Sequence, residues 1–171
     1  MVRSIRAAFL LGTVLLVTPP SYAADTAGAV LKDADGNEVG KATLTDTTKG
    51  VLIGLELSAA PEGVHAFHIH AVGKCEPPDF KSAGPHFNPD TTKHGMMNPD
   101  GPHAGDMPNS HVPSGGKLSL EVLNPAVSLS GKSALLDDDG ASLVLHAAPD
   151  DYKTDPTGNA GDRIACGVIT P

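Results

Sequence analysis

At 171 residues the chain suits one domain of ordinary size, with room for a core. Its 19 glycines and 15 prolines argue against a helical bundle, whose interiors tolerate neither, and a formal charge of −8 argues against a general nucleic-acid binder, which needs a basic face. Eight histidines beside two cysteines are the unusual balance, and histidine at that density points toward metal.

The first residues read as an export signal. Arg3 and Arg6 make a positive start, and 7–17 (AAFLLGTVLLV) is an apolar run well short of the roughly 20 residues that a bilayer span needs. Ser21 and Ala23 are small residues at −3 and −1 of a cut after Ala23. Residues 1–23 are therefore expected to be removed, and 24–171 to fold as a single domain. Removal takes two arginines with it and leaves a more acidic chain. No cysteine lies near the cut, so a lipid-modified N-terminus is not expected. In an oxidising compartment, a disulfide is the default for the pair Cys75 and Cys166. Closing so long a loop stabilises by about 4–5 kcal/mol on chain-entropy grounds.

The mature chain opens in strands. Residues 26–32 run into Asp33-Ala34-Asp35-Gly36-Asn37, a strong turn cluster, and 39–45 returns as the hairpin partner. Residues 51–57 form a third run, stopped by Ala60-Pro61-Glu62-Gly63, and 64–70 a fourth. These spacings predict an antiparallel sandwich or barrel. From 72 to 116 the chain is rich in Pro, Gly, Asn and Asp, with almost no periodicity. A stretch of that length inside a compact domain is functional or disordered, and its histidines favour function. Strand character resumes at 117–123, 142–146 and 164–170, with a second irregular loop over 147–162. No repeat or change of composition marks another domain.

The histidines carry the chemistry. On a strand, His68 and His70 share one face while Phe67 and Ile69 share the other. His65 falls with Phe67 and Ile69 by the same parity and reads as a hydrogen-bonded structural residue. His86, His94, His103 and Asp106 lie within 21 residues on the loop, matching a four-ligand zinc set. His146 ends a strand, well placed to complete the His68/His70 face. Six histidines and one aspartate exceed what one tetrahedral ion needs and suit two ions sharing a ligand. Imidazole favours copper and zinc. His111 reads as a surface residue, and Met96 and Met97 as gap-fillers rather than soft copper ligands.

Seven stretches together resemble the copper/zinc superoxide dismutases, in their exported bacterial branch. They are GVHAFHIH (63–70), SAGPHFNP (82–89), KHG (93–95), HAGDMPN (103–109), SLSG (128–131), VLHAAPDD (144–151) and GNAGDRIACGVI (158–169). Their order and spacing agree, and with the strands between them the resemblance covers 26–170. It implies an all-β fold: an eight-stranded antiparallel Greek-key sandwich or flattened barrel, immunoglobulin-like, with two long functional loops. It implies one copper on His68, His70, His86 and His146, and one zinc on His86, His94, His103 and Asp106, with His86 bridging. Cys75 and Cys166 would form the family's disulfide. Asp150 matches a carboxylate that hydrogen-bonds one copper histidine and one zinc histidine. Arg163 matches the arginine beside the open copper face, and Thr157 the threonine narrowing the channel opposite it. The implied reaction is dismutation of superoxide to dioxygen and hydrogen peroxide, with His86 as proton carrier and Arg163 as the catalytic cation.

The chain departs from the family between His146 and Arg163, where the run is shorter than in eukaryotic members. Pro156 stands where many carry a lysine. Lys153, with Asp155 opposing it, is the nearest substitute, and a solvated surface position is its plainer reading. The rival function is a non-catalytic exported copper-buffering protein of the same fold. The presence of all seven ligands and Arg163 disfavours it. The expected location is the periplasm or the extracellular space, with superoxide as substrate, no nucleic acid and no membrane after cleavage. Monomer and homodimer both stay open, with the homodimer favoured.

Overall fold

The computed structural model describes residues 26–171, so the signal read over 1–23 lies outside it. Three hairpin-linked strands come first: β1 (Thr26–Lys32), β2 (Glu38–Thr47) and β3 (Gly50–Leu57). Asp33 holds the first turn. Its Oδ1 accepts the N–H groups of Asp35 and Asn37 at 3.0 and 2.8 Å, the local chemistry for which Asp is favoured in turns. Along β3, Val51, Ile53, Leu55 and Leu57 are buried while the residues between them are not, as a sheet with one face in the core requires.

The strand expected over 64–70 is broken in two, β4 (Gly63–His65) and β5 (Phe67–His70), and the halves join different sheets. Ala66 leaves the ladder: its N–H donates to the Ala148 carbonyl, and its carbonyl accepts the His146 N–H, both at 2.9 Å. The remaining strands are β6 (Ser110–Val112), β7 (Leu118–Asn124), β8 (Ser142–His146) and β9 (Arg163–Val168). Strand β9 starts and ends earlier than the expected 164–170, and this brings Arg163 into the ladder opposite His146.

Seven strands form one curled antiparallel sheet in the order β5-β8-β9-β1-β2-β3-β7, and β4 pairs with β6 in a short ribbon. The last strand returns beside the opening three, so β9-β1-β2-β3 is a Greek key. The described residues therefore hold nine strand segments rather than eight, the extra one arising from the break at Ala66. The all-β class stands. Leu31, Leu44, Phe67, Ile69, Leu143 and Leu145 fill the core from the sheet, and Phe87, Met107, Leu129 and Leu135 from the loops.

The loop over 72–109 closes the free edge of β5. Ile69 N–H donates to Gly105 O at 2.9 Å, Gly105 N–H to Phe87 O at 2.8 Å, and Phe87 N–H to Ile69 O at 2.8 Å. A Cβ at Gly105 would collide with the Ile69 carbonyl, so this seam needs a glycine there. The Cys75–Cys166 disulfide, spanning 91 residues with Cα atoms 5.6 Å apart, ties the same loop to β9.

Candidate metal centre

Strand β5 brings His68 and His70 in from one edge of the sheet. His146 comes from the end of neighbouring β8, and His86 reaches the group through a bridge pairing with His70. The donor atoms of these four rings lie within 4.8 Å of one another, all on buried residues, with the Nε2 atoms of His70 and His146 3.4 Å apart. A second buried group forms from His86, His94, His103 and Asp106. Asp106 Oδ1 lies 3.0 Å from His86 Nδ1, 3.0 Å from His94 Nδ1 and 3.4 Å from His103 Nδ1. The Nδ1 atoms of His103 and His86 are 3.4 Å apart. A tetrahedral ion with bonds of roughly 2.0–2.1 Å has ligand–ligand edges of roughly 3.3 Å, so this group is already spaced for zinc.

The opposite ring nitrogens are spoken for. Asp150 accepts from His68 Nε2 at 2.8 Å through Oδ2 and from His94 Nε2 at 3.0 Å through Oδ1. His70 Nδ1 donates to the Gly84 carbonyl at 2.9 Å. This leaves His68 Nδ1, His86 Nε2 and His94 Nδ1 buried with no hydrogen-bond partner. Orphaned buried nitrogens are costly, and here they converge on two points. His94 Nδ1 approaches Asp106 Oδ1 to 3.0 Å without aligning as a hydrogen bond, as two ligands of one ion do. The residues present thus fit a nitrogen-rich copper set beside a histidine–aspartate zinc set. His68, His94 and Asp150 also converge, but that cluster is the carboxylate joining the two sets.

Burial pushes His70 down to about 2 and His146 to about 3, each helped by neighbouring rings and Arg163. His68 falls to about 4, where burial outweighs the Asp150 hydrogen bond. All three rings are therefore neutral at pH 7, the form that ligates. His94 goes the other way: burial lowers it, but the carboxylates of Asp106 and Asp150, each 3.0 Å from one of its ring nitrogens, together raise it to about 9. Burial resists ionisation of Asp106 and Asp150, yet the surrounding rings and N–H groups hold both well below the ordinary carboxylate range.

The first set opens onto a cleft of about 590 Å³ lined by His70, His86, His146, Lys81, Thr157 and Arg163, among others. A neighbouring cleft of about 720 Å³ shares Lys81, His86, Thr157 and Arg163 and runs on past Pro156 to His103. The Arg163 guanidinium is fixed at the junction, with Nη1 donating to Phe80 O at 2.7 Å and Nη2 to Gly84 O at 2.8 Å.

The model of the copper/zinc superoxide dismutase family matches residues 38–169. The chain belongs to the copper/zinc superoxide dismutases. Superoxide dismutase [Cu-Zn] 1 of Aquifex aeolicus is 57% identical over 137 residues, 78% of this chain and 81% of the relative. The superoxide dismutase [Cu-Zn] of Caulobacter vibrioides is 49% identical over 148 residues, 84% of this chain and 85% of the relative. Among solved structures, a double mutant of a SOD-like protein from Bacillus subtilis superposes with a TM-score of 0.81. It has 40% identity, with 84% of this chain and 97% of that one covered.

Within this member of the family, the seven residues read as ligands fall into the two buried donor sets and Asp150 lies between them, while Thr157 and Arg163 line both clefts. His65 is a structural residue as read: Nδ1 lies 2.8 Å from His146 O and Nε2 3.0 Å from Pro61 O. His111 is exposed on β6. Met96 and Met97 are not gap-fillers, being 44% and 63% exposed. Lys153 lines neither cleft, and Asp155 faces Lys93 at 3.1 Å instead, while accepting the His94 N–H at 2.8 Å. The lysine at the mouth is Lys81, paired with Asp79 at 2.7 Å. Its only signal in the sequence was its place between Cys75 and Gly84, on the loop that the disulfide carries to β9.

Proposed function

We propose that this chain dismutes superoxide at one copper held by His68, His70, His86 and His146, beside one zinc held by His86, His94, His103 and Asp106. Bound there, copper supplies the one-electron couple that converts two superoxide anions and two protons to dioxygen and hydrogen peroxide, and zinc supplies a fixed charge without redox chemistry. The observation that carries this reading is the His86 ring. Its Nδ1 lies 3.0 Å from Asp106 Oδ1, on the zinc side, while its Nε2 is buried without a partner among the copper-side histidines. One imidazole is thus presented to two donor sets.

The side chains around it have separable tasks. His86 Nε2 holds the proton that substrate receives, since the other ring nitrogen keeps the imidazole in place while this one changes state. Asp150 orients His68 and His94 and fixes which nitrogen of each faces inward. Arg163 docks the anion. Two of its five N–H donors are spent on carbonyls, which immobilises the planar cation and leaves donors for the cleft. Thr157 stands across the same opening and limits what reaches it.

The same reading includes export to the periplasm, cleavage after Ala23 and a single domain over 24–171. The charged start and short apolar run support it, as does a disulfide suited to an oxidising compartment. A homodimer is the proposed assembly, checked by the light-scattering mass of the mature protein. The decisive experiment measures superoxide consumption by protein reconstituted with copper and zinc, with and without a copper chelator. Rapid consumption abolished by the chelator is expected. No consumption by the fully loaded protein would overturn the reading in favour of a copper buffer.

A further inference from the structure

Two carbonyls hold Arg163, and they are held in different ways. Gly84 has φ +74° and ψ −162°, a backbone that suits glycine, and its oxygen also receives the His70 Nδ1 hydrogen bond. Phe80 has φ +52° and ψ +25°, a left-handed backbone carrying an aromatic side chain. A bulky residue in that region is a true outlier and persists only where its surroundings over-determine it.

The Phe80 ring provides that restraint. Between residues 71 and 82 Phe80 is the one buried position, with exposed Asp79 and Lys81 on either side. Its ring packs in a small cluster apart from the main core, with Ala83, Val144, Cys166 and Cys75. Val144 and Cys166 are opposite one another on β8 and β9, so the cluster is fastened to the sheet three residues beyond Arg163. The backbone is pinned as well: Phe80 N–H donates to Glu76 O at 3.1 Å, and the Phe80 carbonyl receives Ala83 N–H at 3.1 Å beside Arg163 Nη1 at 2.7 Å.

We propose that Phe80 is the positioning residue for Arg163, its buried ring locking the left-handed backbone whose carbonyl aims the guanidinium at the copper-side cleft. This rests on Arg163 being the anion-docking group. Phe80 touches no substrate and acts through the arginine alone.

Azide, a small anion that ligates copper(II), is the probe, titrated by absorbance into the copper- and zinc-loaded protein. Phe80→Ala is expected to weaken azide binding about tenfold, as misalignment of a charged hydrogen-bond donor should. It should also flatten the dependence of the dismutation rate on ionic strength. Phe80→Leu, which refills the cluster, should stay within about twofold of the parent. The azide-free copper(II) absorption should not change in either variant. If Phe80→Ala yields no folded protein, Phe80→Val takes its place, keeping apolar volume while its β-branch disfavours the left-handed backbone. Parent-like azide affinity in the Ala or Val variant, alongside weakened affinity in Arg163→Ala, would overturn the inference. So would a changed azide-free spectrum, which would mean that the substitution disturbs the copper ligands directly. Unchanged azide affinity in Arg163→Ala would overturn the underlying reading of the arginine.

Discussion

At the scale of single residues, Asp150 shows how much of the centre depends on a group outside both donor sets. A carboxylate can accept from two imidazoles at once, and Asp150 does so, at 2.8 Å from His68 and 3.0 Å from His94. An amide of the same shape has one acceptor and one donor, so Asp150→Asn leaves one ring facing an N–H. That ring must turn or change tautomer. The expected loss is about 10–100-fold in zinc affinity, measured by chelator competition. His94 adds a pH dependence. In the metal-free protein its pKa is raised to about 9 by Asp106 and Asp150 against the effect of burial, so at pH 7 the ring carries a proton. Ligation requires the neutral ring. Zinc uptake at pH 7 should therefore release one proton from His94, and apparent affinity should climb about tenfold per pH unit up to about pH 9, then level. Titration calorimetry in buffers of different ionisation enthalpy counts that proton. In copper uptake, His70 and His146, held neutral, should release none.

Among elements, the two long loops matter more than the strands, and each has its own fastening. The disulfide fastens the first. In the chain-entropy model, closing a loop of this length stabilises by about 4–5 kcal/mol, so a Cys75→Ser, Cys166→Ser double variant should lose about that much in urea unfolding. The second loop, 147–162, is wound around Asp151. Its carboxylate accepts the Thr154 hydroxyl at 2.6 Å, the N–H groups of Thr154 and Lys153, and Asn159 Nδ2, and these bonds lower it to about 2. The folded value lies below the ordinary 3.8, so the carboxylate's contribution is whole above pH 4 and lost as pH falls toward 2. The protection of the Lys153 and Thr154 amides, taken as exchange relative to the intrinsic rate at each pH, should fall over that window and stay constant between pH 5 and 7. These fastenings also mark where the sequence stops being legible. The strands at 26–32 and 51–57 announce themselves by alternation and turn residues, and 142–146 by a short apolar run that is buried on both faces. The ligands announce themselves by histidine spacing and by likeness to a family. The break at Ala66 does not, because the alternation through Val64-His65-Ala66-Phe67 runs on without Gly or Pro, and only contacts with 146 and 148 pull Ala66 from the ladder. Lys81 was hidden for a related reason: its position at the mouth depends on a tether to Cys166, 85 residues away in sequence.

For the whole molecule, the question is how a chain with a net charge of −8 serves an anionic substrate. Charges separated by more than about 8–10 Å are largely screened at physiological ionic strength, so the far surface contributes little. What survives is the mouth, where Arg163 and Lys81 meet Asp79 and Asp162. These cations and acids balance in number but not in placement. Arg163 is fixed beside the copper-side histidines, whereas Lys81 is mostly exposed and already paired with Asp79. Arg163→Ala should lower the dismutation rate by roughly tenfold or more at low ionic strength and by a smaller factor at high. Lys81→Ala should cost roughly twofold, again only at low salt. Asp79→Asn should move the other way, freeing Lys81 and raising the low-salt rate, with all curves converging as salt increases. Pulse radiolysis across an ionic-strength series reads all three. If the Arg163→Ala loss does not vary with salt, the arginine works only by contact at the copper. The local field would then have no part in capture, and the acidity of the chain would need another explanation.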